Sequence, residues 1–495
     1  MGISSIAANI TPVIQSVLEM RKKLADLQRQ LGSGIKADTY AGLAPQIGLT
    51  IGLSRQLDAI SSYNDTITAV GTRIGIAQTA LSQITDAGNQ VKSGTLLPNF
   101  NIDGTGQTNA QKSAYYQLDQ ILSLLNTQVG DRFLFSGTGV DQPSVETVDH
   151  ILNGNGAQAG LKQLISERNQ ADIGTGLGRL VIPPAAGTNV SISEDIAGSV
   201  FGFKLAGVNS TLSGAVVTGP GGAPPLINVN FAANPASGDR ITFTFNLPDG
   251  TKEDLSLEAT TSTTPDPDQF TIGATPNQTA INFQAALTTA VDKLAHSSLS
   301  AASAIAAAGN FFANPPQRVA TTPFTSATAL APGTPANTVS WYIGENGATL
   351  TRQTATARID PAIVVAYGLR ANEQGIAWIV QQVATLAATT YLPTDPNAQA
   401  SYIALNQRLN TTLAVPQGTQ KIEDISSSLA SAQAAMETAK DRHRQAEKQL
   451  TDMLQGIEMI DPNLVGAQIL TVQTNLQASL QTTAMLSQLS LVNEL

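Results

Sequence analysis

Residues 53–91 read LSRQLDAISSYNDTITAVGTRIGIAQTALSQITDAGNQV. Leu53, Ile60, Ile67, Ile74 and Leu81 fall seven apart, and Tyr63, Val70, Ala77, Ile84 and Val91 form a second set interleaved with the first. Two such sets sustained over several heptads lay one narrow apolar seam along a helix, and a seam of that kind needs a partner helix to cover it. The question for the rest of the chain is where the partner lies.

Both ends of the chain answer it. Ile3, Ile6, Ile10, Val13, Val17, Met20, Leu24, Leu27 and Leu31 recur in steps alternating three and four. Thr11 followed by Pro12 suits an N-cap and first helical residue, which places a restart of the helix there, and Gly32 and Gly34 end it. Near the other terminus Ile422, Ile425, Leu429, Ala432, Met436, Ala439, His443, Ala446, Leu450, Met453, Ile457 and Ile460 keep the same alternation without a slip. Asp461 and Pro462 stop that helix. A last amphipathic run follows with Val465, Ile469, Val472, Leu476, Leu480, Leu486 and Leu489 on its apolar side. Isolated helices are marginal in water, so these arms are each other's most economical partners.

Between roughly Asp141 and Leu392 the heptads vanish, and one further helical segment comes before that stretch. Residues 110–129 place Ala114, Leu118, Ile121, Leu122 and Leu125 on one helical face, and residues 130–137 read as a short strand between turn residues. Gly219–Pro225 reads as a loop. Ile241, Phe243, Phe245 and Leu247 alternate, run through Pro248, Asp249 and Gly250, and return along Leu255 and Leu257, a β-hairpin pattern. Residues 280–308 form an Ala-rich helical stretch, residues 338–365 alternate again, and residues 371–388 read as one more helix. The expected fold is mainly α at both ends, an antiparallel helical coiled-coil rod with N- and C-terminal arms paired, carrying an inserted α+β outer domain. The expected division is an N-terminal arm over 1–45, a rod over 46–140 with 405–460, an outer insert over 141–404, and a C-terminal arm over 461–495. The assembly seam is expected at Leu53, Ile60, Ile67, Ile74, Leu81, Ile425, Leu429, Met436, Leu450 and Ile457. Polymerisation through the terminal helices is expected at Val13, Val17, Leu24, Leu27, Val472, Leu476, Leu486 and Leu489.

Composition narrows the function classes. Charged residues make up 13% of the 495, against about a quarter in ordinary globular domains. The net charge of −10 argues against nucleic acid as the main partner, because phosphate neutralisation needs clustered Lys and Arg. Cys is absent, so no disulfide, thiolate nucleophile or Cys-ligated metal is possible. The first residues lack the basic and apolar regions of a secretory signal, which fits a cytosolic chain or export by a signal-free route. No stretch approaches the length of a membrane span, so no membrane insertion is expected.

Candidate chemistry is sparse. His150, His296 and His443 are the only histidines, and none begins a His-Glu-x-x-His arrangement. His443 sits at a seam position, where a polar residue fixing helix register is the better reading than a metal ligand. Asp266 and Asp268 lack the spacing and closing Glu of a calcium loop. The Gly-rich stretches 154–160 and 174–178 lack the Lys-Ser/Thr ending of a phosphate loop and read as flexible loops. Arg21, Lys22 and Lys23, and the cluster of Lys440, Asp441, Arg442 and Arg444, read as solvated or inter-subunit faces. Trp341 and Tyr342 are adjacent, and a core role suits them better than a sugar-binding platform. No catalytic residue, metal site or cofactor is expected, and the chain does not read as an enzyme.

The heptad ends around a different middle resemble the flagellin superfamily, over about residues 1–140 and 405–495. Leu31, Gly32, Ser33 and Gly34 resemble the Ser-Gly signature after the family's first helix. Asp131, Arg132, Phe133, Leu134, Phe135, Ser136 and Gly137 resemble the Gly-Arg-Tyr-Leu-Phe-Ser-Gly turn of the hook–filament junction branch (hook-associated protein 3), with Asp131 where that motif has Gly. Leu476, Gln477, Ala478 and Ser479, followed by Leu489, Ser490, Leu491, Val492 and Asn493, are similar to the junction-type C-terminus. Val365 to Glu373 resembles a segment of that branch's outer domain. The family's Asp-Asp-rich stretch between Gly34 and Gln56 is replaced by Ala37, Asp38, Thr39, Tyr40, Ala41 and Gly42. The resemblance implies an extracellular structural subunit of the bacterial flagellum, exported by a type III route without a cleaved signal. Its implied partners are copies of itself, other axial proteins including hook-associated proteins and flagellin, and an export chaperone. The alternatives are a filament flagellin, or a flagellin-like surface adhesin whose middle domain binds a ligand.

Overall fold

The computed structural model describes residues 3–43, 46–96 and 98–492. In chain order, helices α1 (Ile3–Ser33), α2 (Ile47–Thr95) and α3 (Asn109–Leu125) are followed by the two-residue strands β1 (Gln128–Val129) and β2 (Arg132–Phe133), then α4 (Val148–Asn153) and α5 (Leu161–Ile173). Next come β3 (Leu180–Val181), β4 (Asn189–Glu194), β5 (Lys204–Ser210), β6 (Ala215–Gly221), β7 (Leu226–Phe231), β8 (Arg240–Asn246), β9 (Lys252–Thr260) and β10 (Gln269–Thr271). Helix α6 (Pro276–Leu294) passes through a π turn (Ala295–Leu299) into α7 (Ser300–Phe312). The short strands β11 (Gln317–Val319), β12 (Leu330–Pro332), β13 (Thr356–Asp360) and β14 (Ile363–Ala366) lead to α8 (Gln374–Ala388), α9 (Ala398–Thr412), α10 (Ile422–Glu458) and α11 (Pro462–Val492). Long helices at both ends thus flank a central α+β region rich in antiparallel sheet.

The chain packs as two compact units, one drawn from Met1–Gly71, Ala357–Val365 and Gln433–Leu495, the other from Thr72–Thr356 and Ala366–Ala432. In the first unit α1 and α11 pair through Leu27, Val465 and Val472, with Met20, Leu24, Ile460 and Ile469 packed around them. Because the C-terminal end of α1 adjoins the start of α11 through a hydrogen bond from Ile460 N to Gly34 O, the two run antiparallel.

In the second unit the main core is Phe-rich. One sheet has the order β3-β4-β7-β6 and the other β10-β9-β8-β5. Phe203, Phe231, Phe243, Phe245, Phe270 and Phe283 are all buried in one cluster with the apolar face of α6. Alternation puts every second residue of β8 inward, and Ile241, Phe243 and Phe245 are each fully buried. The hairpin read from residues 241–257 is present, with β8 and β9 antiparallel and Asn246 opposite Lys252. Gly250 takes the left-handed turn conformation (φ +83°) that a side chain would resist. Helix α3 packs against α8 and buries Ala114, Leu118, Ile121, Leu122 and Leu125, the face read from sequence.

Three sequence expectations need correction. Helix α1 runs through Pro12 without restarting; the missing donor costs one backbone bond, which the flanking turns on either side outweigh. Gly219–Pro225 is not wholly loop, since Gly219, Pro220 and Gly221 continue β6, with Gly221 opposite Leu226 after a register shift. The alternation over 338–365 forms strand only at β13 and β14, because the earlier part spends its backbone on isolated bridges such as Val145 with Tyr342 and Ala159 with Thr338.

Candidate assembly surface

The seam residues are placed as follows. In the first unit Leu53, Ile67, Met436 and Ile457 are buried, whereas Ile60 and Leu450 are half-buried. In the second unit Ile74, Leu81, Ile425 and Leu429 are at most 1% exposed. The residues expected at the seam are thus most deeply buried in the second unit, and less so around Ala446 and Met453 of the first, the latter 46% exposed.

On the arms, Leu27 and Val472 are buried, and Val17, Leu24 and Leu476 are half-buried. The side chains of Val13, Leu486 and Leu489 lie outside the described residues. The pairing of α1 with α11 leaves much apolar surface uncovered. Ile14 (50%), Leu18 (53%), Leu31 (44%), Leu464 (58%), Leu470 (66%), Leu480 (42%) and Met485 (61%) all face solvent. Scattered exposed Leu residues are normal on a protein surface, but this many on one helix pair is a different matter. Two helices that cover only a narrow stripe of each other leave their outer faces free for a further partner.

A joint fixes the arms. Gly34 adopts φ +76° and ends α1 with its N–H donating to Gln30 O. The chain then pairs with the α10–α11 connection: Lys36 N donates to Glu458 O at 2.7 Å, and Ile35 bridges Met459. The Lys36 ammonium donates to the carbonyls of Gly456 and Ile457 at 2.8 and 2.9 Å, satisfying orphan carbonyls at the negative end of α10. Asp461 accepts from the N–H groups of Asn463 and Leu464, an N-cap with Pro462 at the first helical position. Sequence reasoning found the stop at Asp461 and Pro462 but not the role of Lys36, because a single Lys between two turns carries no local signal.

The remaining candidates resolve as structural groups. Trp341 and Tyr342 are each 3% exposed, and Trp341 packs on Phe312 at 5.1 Å. The Tyr342 hydroxyl donates to Glu345 O, and burial pushes its phenol well above the usual range. The Gly-rich turns are close-packed: a Cβ on Gly160 would lie 2.3 Å from Gly154 N, and one on Gly178 would lie 2.4 Å from the Phe203 ring. Asp266 and Asp268 sit in an exposed turn. His150 pairs with Glu146 at 2.8 Å, and the His296 ring contacts Asp292 O. Arg442 reaches Asp360 at 3.1 Å, while Arg444 pairs with Asp441 on its own helix.

Charged side chains buried in the second unit are knitted into ion pairs. Asp172 accepts from Arg168 Nε at 2.9 Å and from Gly202 N at 2.8 Å. Burial nevertheless lifts its carboxyl above the usual range, outweighing the Arg168 charge. Glu373, raised likewise by burial against the pull of Arg352, accepts from that Arg and from Gln420. Arg408 spans Asp249 (3.2 Å) and Glu253 (2.8 Å), tying α9 to the β8–β9 turn. Among the described residues no group of three or more His, Asp or Glu side chains is placed to hold a metal ion. No helix among them is long and apolar enough to cross a membrane.

Terminal helices paired with each other and apolar on their outer faces flank, in sequence order, a central α+β region. Residues 7–139 match the family described as the bacterial flagellin N-terminal helical region, so this part of the chain carries a flagellin-superfamily domain. No curated protein matches the chain.

Proposed function

We propose that the protein is an axial structural subunit of the bacterial flagellum, polymerising through α1 and α11 and joining hook to filament. The observation that carries the reading is the uncovered apolar face of the arms, from Ile14 and Leu18 to Leu470 and Met485. Each Leu or Ile fully covered by a neighbouring copy contributes about 1.5–3 kcal/mol, and such surface on a helix pair is what a polymer of this class needs. The flagellin-superfamily domain over residues 7–139 supports the class. The junction role rests on the turn at 131–137 and on the C-terminal stretch 476–493, which resemble that branch.

In this reading residues 1–45 and 461–495 form the inner axial layer, 46–140 with 405–460 the supporting rod, and 141–404 an outward-facing insert. The seam residues act indirectly, by holding the arms in a geometry that copies can share. Partners are further copies of the chain, other hook-associated proteins and flagellin, and an export chaperone; the site of action is extracellular. The family match over residues 7–139 fits a filament flagellin equally well, and that is the second reading. Immunogold labelling of cells decides between them. Label confined to the filament base is expected; label spread along the filament would replace the junction role with that of filament flagellin, and label absent from the flagellum would reject both.

A further inference from the structure

His443 lies on the seam face of α10, 4% exposed, with its ring stacked on Tyr63 of α2 at 5.8 Å between centroids. Both ring nitrogens face oxygen. Nδ1 is 2.9 Å from Asn64 Oδ1, and Nε2 is 3.5 Å from Asp360 Oδ2 at the end of β13. Nε2 is enclosed and has no hydrogen-bond partner.

A neutral imidazole has one N–H and one lone pair, whereas an imidazolium has two N–H groups. With Nδ1 donating to Asn64, a neutral ring leaves its Nε2 lone pair turned toward a carboxylate oxygen, with no hydrogen between them and no access for water. A second ring proton supplies the missing donor and an opposite charge for Asp360. The titratable or charged groups around the ring are Asp360 from β13, Tyr63 from α2 and Arg442 from its own helix. Arg442 opposes the added charge and already donates to the same Asp360 Oδ2 at 3.1 Å, but it is half-exposed (51%), whereas Asp360 is 18% exposed and lies 3.5 Å from Nε2.

We propose that His443 is a proton-operated clasp, whose imidazolium bridges Asn64 of α2 and Asp360 of β13 and tightens β13 onto the helix pair as the pH falls. A doubly protonated ring makes both contacts, whereas a singly protonated one gives up the contact to Asp360. The clasp stands on these contacts within one unit and does not depend on the assembly reading.

Three histidines make the test direct. In protein labelled with ¹⁵N at histidine, the other two rings are removed by His150→Gln and His296→Gln, leaving the His443 signals. Both nitrogens are expected to be protonated at pH 5.5, with the second proton leaving as the pH is raised to 8. Amide exchange over residues 357–364, corrected for its intrinsic pH dependence, is expected to be roughly fivefold slower at pH 5.5 than at pH 7.5, the scale of a partly buried ion pair. Asp360→Asn supplies an amide donor to a neutral Nε2, so it is expected to keep the protection at both pH values and abolish the difference. A ring that stays singly protonated at Nε2 from pH 5 to 8 would overturn the proposal, because the Asn64 amide nitrogen would then face Nδ1. Unchanged pH dependence in Asp360→Asn would overturn it as well.

Discussion

Leu470 and Val472 stand two residues apart on α11, yet their substitutions should act on different processes. Leu470 is 66% exposed, whereas Val472 is 7% exposed in the cluster with Leu27. Leu470→Asp forfeits only about a third of a full leucine burial, ~0.5–1 kcal/mol, so the monomer's folding should scarcely change. In a polymer where that face is covered, the same aspartate brings a charge into a dry contact at a cost of several kcal/mol. Each 1.4 kcal/mol is a tenfold change in an equilibrium constant, so the critical concentration for assembly should rise by roughly a hundredfold or more. Val472→Asp should instead loosen the α1–α11 pair itself, visible as lost helix in the monomer. Circular dichroism with urea unfolding reads the first effect, and light scattering with electron microscopy across a concentration series reads the second. Filaments forming from Leu470→Asp at the wild-type critical concentration would show that this face is not an assembly contact, and the argument from uncovered apolar surface would fail.

Ile74→Asp places a charge at a site 1% exposed, and a loss of at least ~4 kcal/mol should appear as a lower urea midpoint for the second unit; a midpoint unchanged from wild type would mean the seam is wet there. Trypsin should cut the monomer at the exposed Arg21, Lys22 and Lys23 of α1, with protection on assembly; equal cleavage in polymer and monomer would contradict burial of that face. Glu345 is held below the usual carboxylate range chiefly by its hydrogen bond from Arg370. That contribution is present above the ordinary carboxylate value and is lost as the pH falls through the lowered one. Trp341 fluorescence should therefore change on acidification below about pH 4, with Glu345→Gln removing the step.

The helical ends were legible because a seven-residue repeat needs no tertiary information, and the face of α3 and the β8–β9 hairpin were legible for the same local reason. Helix α5 was not. Its buried face includes Glu167, Arg168 and Asp172, residues that a polarity pattern sends to solvent. They are tolerated inside because Arg318 pairs with Glu167 and Arg168 pairs with Asp172, and the first of these partners lies 151 residues away. At the seam, His443 could be read as a polar interruption, but Asp360, which gives it meaning, belongs to a strand brought in from elsewhere in the chain. The exposure of Leu18 and Leu470 was likewise hidden, since an apolar periodicity marks a face without saying how much of it one partner covers.

The joint between Gly34–Lys36 and Glu458–Ile460 has a mechanical consequence. A pull along either arm is met first by the Ile460–Gly34 and Lys36–Glu458 backbone bonds, not by the side chains of the helix pair. Those bonds resist together, so neither arm can slide by a helical turn past the other unless the crosspiece breaks. Tension on α1 is thereby shared with α11 at one fixed point, and the two arms carry load as a single strut.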